Sequence, residues 1–372
     1  DTEAMCGLLA DLGLDLQLDR ADRSVRLHGG AGAVPPGPAA VDARQSGTTG
    51  RFALPMLACG RGTYVLDGDE QLRVRPFDTL VDALTSLGVD VRGRSLPLTV
   101  EATGALPGGR VALGGSVSSQ FLSGLLLAAP CATSELLVEL VDQPVSTPYI
   151  DLTLSTMRQF GADVGESGHR LFRVRPTGYR AAEVRIEPDA SAASYFFAAA
   201  AITGGRVRVE GLGRSTVQGD LRFVDVLAEM GADVDVGAES TEVRGTGVLR
   251  GVDIDLAALS DTAQTLAVVA PFASSPTRVT GIGFIRRKET DRIAAAVTEL
   301  RRRGIPAAEE DDGFVVHPGA PAPGVVATYD DHRMAMSFAL LVLVHPGSVI
   351  DSPSRVSKTF PDYFAVLDGR RG

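Results

Sequence analysis

The feature that most constrains this chain is an internal repeat. A helical pattern ends in glycine and is followed by a short valine- or leucine-rich strand, in Leu8-Leu9-Ala10-Asp11-Leu12-Gly13-Leu14-Asp15-Leu16 and again in Ala83-Leu84-Thr85-Ser86-Leu87-Gly88-Val89-Asp90-Val91. Further copies end at Gly161, Gly231 and Gly304, and a weaker sixth runs through Tyr363 to Gly369. The period is about 70–75 residues, longer than that of a solenoid and long enough for several elements per unit. Glycine at the end of each helix suits the left-handed residue that closes it. Each helix also begins near an aspartate: Asp1, Asp78, Asp151, Asp220, Asp291 and Asp362. Carboxylates are favoured there by capping and by the helix dipole.

A second helix per unit is apolar all round and has a polar start. Ser46-Gly47-Thr48-Thr49-Gly50-Arg51 leads into the first, Ser118-Ser119-Gln120 into the second and Ser191-Ala192-Ala193-Ser194 into the third. Asp261-Thr262-Ala263-Gln264-Thr265 and Asp331-His332-Arg333 lead into the last two. Helices of this composition are buried. Alternating segments such as 206–210 and 183–187 read as strands. The unit is therefore strand, helix and strand repeated six times, an α/β (α+β) chain in two domains of three units, residues 1–186 and 187–372. Six helices of the first type stand against five of the second, so the count predicts a further polar-started helix ahead of Asp1. The opening Asp1-Thr2-Glu3 reads as a cut.

A net charge of −10, without a basic tail, argues against general nucleic-acid binding and makes local basic clusters informative. Cys6, Cys59 and Cys131 are dispersed among apolar residues and read as reduced core thiols; the compartment expected is the cytoplasm. The five histidines are equally scattered, so no metal site is expected. Apolar runs such as 338–344 are too short to span a bilayer, and no signal peptide is visible.

The densest basic cluster is Arg286-Arg287-Lys288-Glu289-Thr290-Asp291-Arg292, at the start of the fifth repeat's first helix. Helix N-termini with added Lys and Arg favour phosphate or carboxylate. If the buried helices lie parallel, their starts bring Ser118, Ser119, Gln120, Asp261, His332 and Arg333 to the same face as Lys288, Glu289 and Arg292. Arg75 and Lys358 stand just before the helices that begin near Asp78 and Asp362. That set suits a ligand with several negative charges, with Asp261 and Glu289 as acid–base candidates. Gly29-Gly30-Ala31-Gly32 lacks the strand–turn–helix spacing of a phosphate loop.

These motifs together resemble the EPSP synthases (3-phosphoshikimate 1-carboxyvinyltransferases) of the enolpyruvyl transferase family. The matching stretches are Ser46-Gly47-Thr48, residues 68–76, Gly115-Ser116-Val117-Ser118-Ser119-Gln120-Phe121, Ser146-Thr147-Pro148-Tyr149-Ile150-Asp151, Gln218-Gly219-Asp220-Leu221-Arg222-Phe223, Lys288-Glu289-Thr290-Asp291-Arg292, residues 329–336 including Asp331-His332-Arg333-Met334-Ala335-Met336, and residues 358–364. The resemblance implies an inside-out α/β barrel in each of two domains, built from six βαβαββ repeats that close on the substrates. It implies transfer of the enolpyruvyl group of phosphoenolpyruvate to the 5-hydroxyl of shikimate 3-phosphate by addition and elimination, without metal or organic cofactor, in a monomer. By motif, Ser118, Ser119, Gln120, Ser146, Tyr149, Asp261 and Lys288 resemble the shikimate 3-phosphate site. Gly47, Arg75, Gln120, Arg292, His332, Arg333 and Lys358 resemble the phosphoenolpyruvate site. Asp261 resembles the base for the hydroxyl and Glu289 the group that trades a proton with the methylene, with Lys288 and His332 as the other catalytic candidates.

The family's Lys-Ser-x-x-x-Arg segment falls in the helix expected ahead of Asp1. Gln45, Ser46, Gly50 and Phe284 depart from the family pattern. The alternatives are a member that only binds a phosphorylated ligand, and the sister activity on a UDP-amino sugar. The shikimate-type Val117-Ser118-Ser119-Gln120 argues against the latter.

Overall fold

The computed structural model describes residues 1–22 and 24–369, which divide into two compact units, Asp1–Val184 and a second from Arg185 onward. Each is a mixture of helices and small sheets. In three places the chain follows the order strand, helix, strand, helix, strand, strand and closes into a four-stranded sheet. The first joins Ala39–Asp42, Arg61–Asp67, Leu98–Thr103 and Asp90–Arg92 in that spatial order, and the second joins Gly109–Leu113, Leu136–Leu140, Leu171–Val174 and Val164–Ser167. The third, in the other unit, joins Asp253–Asp255, Thr277–Thr280, Gly313–Val316 and Ala307–Glu310. In each the first two strands are parallel, as a crossover helix between them requires, and the other pairings are antiparallel.

The other stretches form smaller sheets. Leu16–Asp19 pairs with Ser24–Leu27, and Val325–Val326 runs parallel to Val349–Ile350. Arg206–Glu210, Ser240–Arg244 and Asp233–Val236 make a three-stranded sheet. The strand expected at 183–187 does not form. Glu187 is held by the side chains of Thr216 and Gln218, but residues 183–186 lie in no ladder and Ile186 is 85% exposed. An alternating pattern identifies a segment able to pair; only a partner edge makes it a strand.

The repeat glycines behave as their pattern demands. Gly13, Gly88, Gly161, Gly231 and Gly304 have φ between +78° and +114°, in the left-handed region. The sixth differs: Gly369 has φ −67°, and its helix, Tyr363–Asp368, ends right-handed. The repeated aspartates share a place but not a task. Only Asp291 caps its helix, accepting from the backbone N–H of Ala294 at 3.0 Å. Asp78 is already helical behind Phe77, and Asp220 sits in a short 3₁₀ turn where it accepts from the Ser191 hydroxyl. Asp151 lies inside Thr147–Gln159, its carboxylate 2.7 Å from Nε2 of His169. Side-chain partners contributed by the tertiary fold outcompete the local cap.

The five polar-started helices are Gly47–Leu57, Ser119–Ala128, Ala190–Thr203, Ala263–Val269 and His332–Val344. Side chains of Ser46, Ser118, Asp189 and Asp331 cap four of them, the third therefore one turn earlier than its serines suggest. Ala263–Val269 is entered through the 3₁₀ turn Ser260–Thr262, so Asp261 is not a cap. These helices are the cores of their units. Leu54, Leu57, Phe121, Leu125 and Leu126 are fully buried in the first, and Ala267, Val268, Leu340 and Leu341 in the second. In the second unit, Ser194, Thr265 and Ser337 occupy equivalent positions one repeat apart and meet in sequence, Oγ to Oγ, at 3.4 Å. Three helices therefore approach along the same face. In the first unit the approach is closer: a Cβ on Gly124 would lie 2.3 Å from the carbonyl oxygen of Arg51.

Candidate functional site

The second unit gathers half of the predicted residues into one buried cluster around Arg292. This residue opens the helix Arg292–Arg302, is 2% exposed, and donates to three carboxylates. Nε meets Asp331 at 2.8 Å, Nη1 meets Asp261 at 3.0 Å and Nη2 meets Glu289 at 2.7 Å. Asp261 also accepts from Arg333 Nη2 at 2.7 Å, and Glu289 from Lys358 Nζ at 2.7 Å. Arg333 reaches the buried Tyr195 hydroxyl at 3.3 Å. Lys288 stands 5.9 Å from the ring centroid of Phe284, so the departure at that position gives the lysine an aromatic face. Four cations (Lys288, Arg292, Arg333, Lys358) thus oppose three carboxylates (Asp261, Glu289, Asp331), a balance open to anions.

The local fold explains the clustering. Asp331 is fully buried and does two things: it caps the helix His332–Val344 through the N–H of Arg333 at 2.8 Å, and it pairs with Arg292. Tyr329 and Asp330 just before it have φ +53° and +55°, a conformation that non-glycine residues adopt at a cost. Arg286 points elsewhere, to Asp291, Glu309 and the carbonyl of Glu310, and Arg287 is exposed.

The electrostatics follow. Burial alone would raise the Asp261 carboxyl, but Arg333, Lys288 and Arg292 more than offset it and hold it well below the usual carboxylate range. Arg292 is pushed the other way: burial would lower it, yet Asp331, Glu289 and Asp261 raise it. His332 is lowered well below the ordinary imidazole value by burial, then by Lys358 and Arg333. It is therefore neutral at physiological pH, and its buried Nδ1 has no hydrogen-bond partner. Burial raises the Tyr195 phenol to about 12.

The first unit holds the rest. Gln120, in the second buried helix, donates from Nε2 to Thr48 at 2.9 Å and accepts from Arg51 Nη1 at 2.7 Å. Arg75 is buried with its guanidinium against Gly47, where a Cβ would lie 2.6 Å from Nη1, so any larger residue there would displace the guanidinium. Ser118 spends its hydroxyl on the N–H of Gln120 at 3.3 Å, Ser119 is buried, and Ser146 precedes Thr147–Gln159 with φ +53°. Tyr149 follows in the first turn, its N–H on the Ser146 carbonyl at 3.0 Å. The residues predicted for each substrate are divided between the two units: Ser118, Ser119, Gln120, Ser146 and Tyr149 of one set, and Gly47, Arg75 and Gln120 of the other, lie in the first.

Asp331, Arg51, Thr48 and Tyr195 were not among the predicted site residues. The signal for Arg51 was present: a lone cation in an otherwise apolar helix, here 3% exposed between the rings of Phe77 and Phe121. Asp331 lay inside a recognised motif, masked by its capping position. Among the described residues no group of three or more His, Cys, Asp or Glu is arranged to hold a metal, and no helix is long and apolar enough to cross a membrane.

Comparison with known proteins agrees with this architecture and chemistry. The structure superposes on EPSP synthase from Acinetobacter baumannii with a TM-score of 0.82 at 25% identity, covering 99% of this chain and 86% of that one. The enolpyruvyl transferase NikO from Streptomyces tendae gives 0.76 at 20% identity, covering 99% and 86%. The fold is that of the enolpyruvyl transferases. In sequence, 3-phosphoshikimate 1-carboxyvinyltransferase of Nostoc punctiforme is 42% identical over 369 residues, 98% of this chain and 86% of that protein. Residues 1–367 match the family of EPSP synthase (3-phosphoshikimate 1-carboxyvinyltransferase), and the chain belongs to that family.

Proposed function

We propose that the Arg292 cluster performs the proton transfers of the reaction this enzyme catalyses. That reaction is transfer of the enolpyruvyl (1-carboxyvinyl) group of phosphoenolpyruvate to the 5-hydroxyl of shikimate 3-phosphate, with release of phosphate, in aromatic amino acid biosynthesis. In this assignment Asp261 takes the hydroxyl proton as the oxygen bonds to C2 of phosphoenolpyruvate. Protonated Glu289 gives its proton to the methylene carbon, so the tetrahedral adduct carries a methyl group. The same carboxylate then takes a methyl proton back as the carbon–oxygen bond to phosphate breaks. Lys288 lies with Asp261 on the shikimate side. Ser118, Ser119, Gln120, Ser146 and Tyr149 hold shikimate 3-phosphate. Arg292, His332, Arg333 and Lys358, with Gly47, Arg75 and Gln120, hold phosphoenolpyruvate.

The observation that carries this assignment is that both proton carriers are tied to cations: Asp261 to Arg292 and Arg333, Glu289 to Arg292 and Lys358. A carboxylate so held is a weak base. Substrate phosphates and carboxylates compete for the same guanidinium and ammonium groups, so binding releases Asp261 and Glu289 from their cations where they are needed. Neutral His332 donates to a substrate oxygen without adding to the repulsion among four cations. In a coupled phosphate-release assay with both substrates, Asp261→Asn and Glu289→Gln should each lower kcat by about 10²–10⁴ while leaving substrate binding measurable. Undiminished turnover by either variant overturns its role.

The finer architecture belongs to the same proposal: six βαβαββ units, three in each of two domains, 1–186 and 187–372, each domain an inside-out α/β barrel. The three complete four-stranded sheets support it. We place the enzyme in the cytoplasm as a monomer acting without metal or organic cofactor, which sedimentation of the purified protein and metal-free assays check.

A further inference from the structure

The helix that begins with Arg292 also carries Glu299, two turns further along the same face. Glu299 is completely buried, and its carboxylate is fully engaged. Oε1 accepts from the Tyr329 hydroxyl at 2.9 Å and from Arg302 at 2.7 Å. Oε2 accepts from the backbone N–H of Ala327 and from Arg303, both at 3.3 Å. Two of these four donors belong to the segment that leads into the candidate site. That segment is therefore gripped at both ends by one helix: Glu299 takes Ala327 and Tyr329, and Arg292 takes Asp331. The gripped stretch includes two consecutive left-handed residues, Tyr329 and Asp330. Asp330 tolerates that region; a bulky aromatic does not adopt it unless its surroundings enforce it. Asp330 in turn meets Arg355, which shares the 3₁₀ segment Pro353–Lys358 with the site's own lysine.

We propose that Glu299 and Tyr329 are positioning residues for the reaction. Their hydrogen bond holds the left-handed turn so that Asp331 meets Arg292 while His332 and Arg333 enter the site at the first turn of their helix. Neither residue is assigned a contact with substrate. Without the Tyr329 hydroxyl the turn relaxes toward ordinary backbone angles, and Asp331, His332 and Arg333 shift together. The chemistry affected is the side of the site that the preceding section gives to phosphoenolpyruvate, and the inference rests on that assignment.

Tyr329→Phe is the decisive variant, since it removes one hydroxyl and keeps the ring. It should raise KM for phosphoenolpyruvate about tenfold or more, with KM for shikimate 3-phosphate within about twofold of the parent and cooperative unfolding preserved. Glu299→Gln, which retains one acceptor oxygen, should give a smaller change of the same selectivity. A purely structural bond would lower thermal stability and leave both KM values alone, or move them by the same factor; either result overturns the proposal. Lys358→Met and Arg333→Met are assayed beside it. If they leave KM for phosphoenolpyruvate unchanged, the underlying site assignment fails. If they raise it and Tyr329→Phe does not, only the positioning role fails.

Discussion

Asp331→Asn tests the centre of the cluster with almost no change of shape. Asparagine caps helices as well as aspartate does, so the bond to the N–H of Arg333 survives if the amide oxygen takes the Oδ1 position. The amide nitrogen then faces Nε of Arg292, a donor against a donor where a 2.8 Å ion pair stood. Attraction between the two charges is about 4 kcal/mol at a separation of about 4 Å and an effective dielectric of about 20. Much of this is offset because a buried carboxylate no longer has to be desolvated. Removing one member of a buried pair costs about 3–5 kcal/mol, and Arg292 keeps Asp261 and Glu289, so the net loss expected is about 2 kcal/mol. For a unit of this size that lowers Tm by about 4–8 °C. Activity should fall further than stability suggests, by about 30-fold or more in kcat/KM, because Arg292 then leans on the two proton carriers and releases them less readily. Calorimetry at pH 8 gives Tm and phosphate release gives kcat/KM. A double-mutant cycle with Arg292→Met isolates the pair, with a coupling of at least about 1.5 kcal/mol expected. Zero coupling, or a Tm within a degree of the parent, would refute the reasoning.

Two further expectations bear on other parts of the molecule. Because the folded protein keeps His332 neutral well below pH 6.5, the unfolded chain binds a proton that the native state does not. Stability is then complete above about pH 6.5 and declines as pH falls below it, by up to about 1.4 kcal/mol per pH unit. His332→Gln should flatten that slope in urea titrations between pH 5 and 7.5, and an unchanged slope would assign the dependence to other groups. Gly124→Ala drives a methyl group to 2.3 Å from the Arg51 carbonyl oxygen, so the two buried helices of the first unit must separate; a loss of about 3 kcal/mol is expected. Calorimetry reads it, and a Tm equal to the parent's would mean that the helices do not meet as closely as described.

Much of the site could be read in the sequence, for identifiable reasons. Lys288, Glu289 and Arg292 are neighbours at one helix start, and His332 and Arg333 open another, so local pattern placed them on helix N-termini before any contact was known. The aspartates show where that reasoning ends. Six recur near helix starts, but Asp291 alone caps, because Ser191 and His169 offer Asp220 and Asp151 partners that the local chain does not contain. Segment 183–187 has the alternation of a strand and lacks a neighbour.

By itself the sequence determined the periodic part of this protein: which stretches are helices, which helices are buried, where glycine ends them, and the basic helix start that a polyanionic ligand requires. These depend on residues within a turn or two of one another, where spacing is information. Tertiary structure alone decided the pairings. Arg292 with Asp331 spans 39 residues, Arg51 with Gln120 spans 69, and Tyr329 with Glu299 spans 30. No local pattern selects among the carboxylates a buried guanidinium could reach. Glu289 stands three residues before Arg292; helix packing adds Asp261 and Asp331 and excludes the water that would otherwise satisfy each alone.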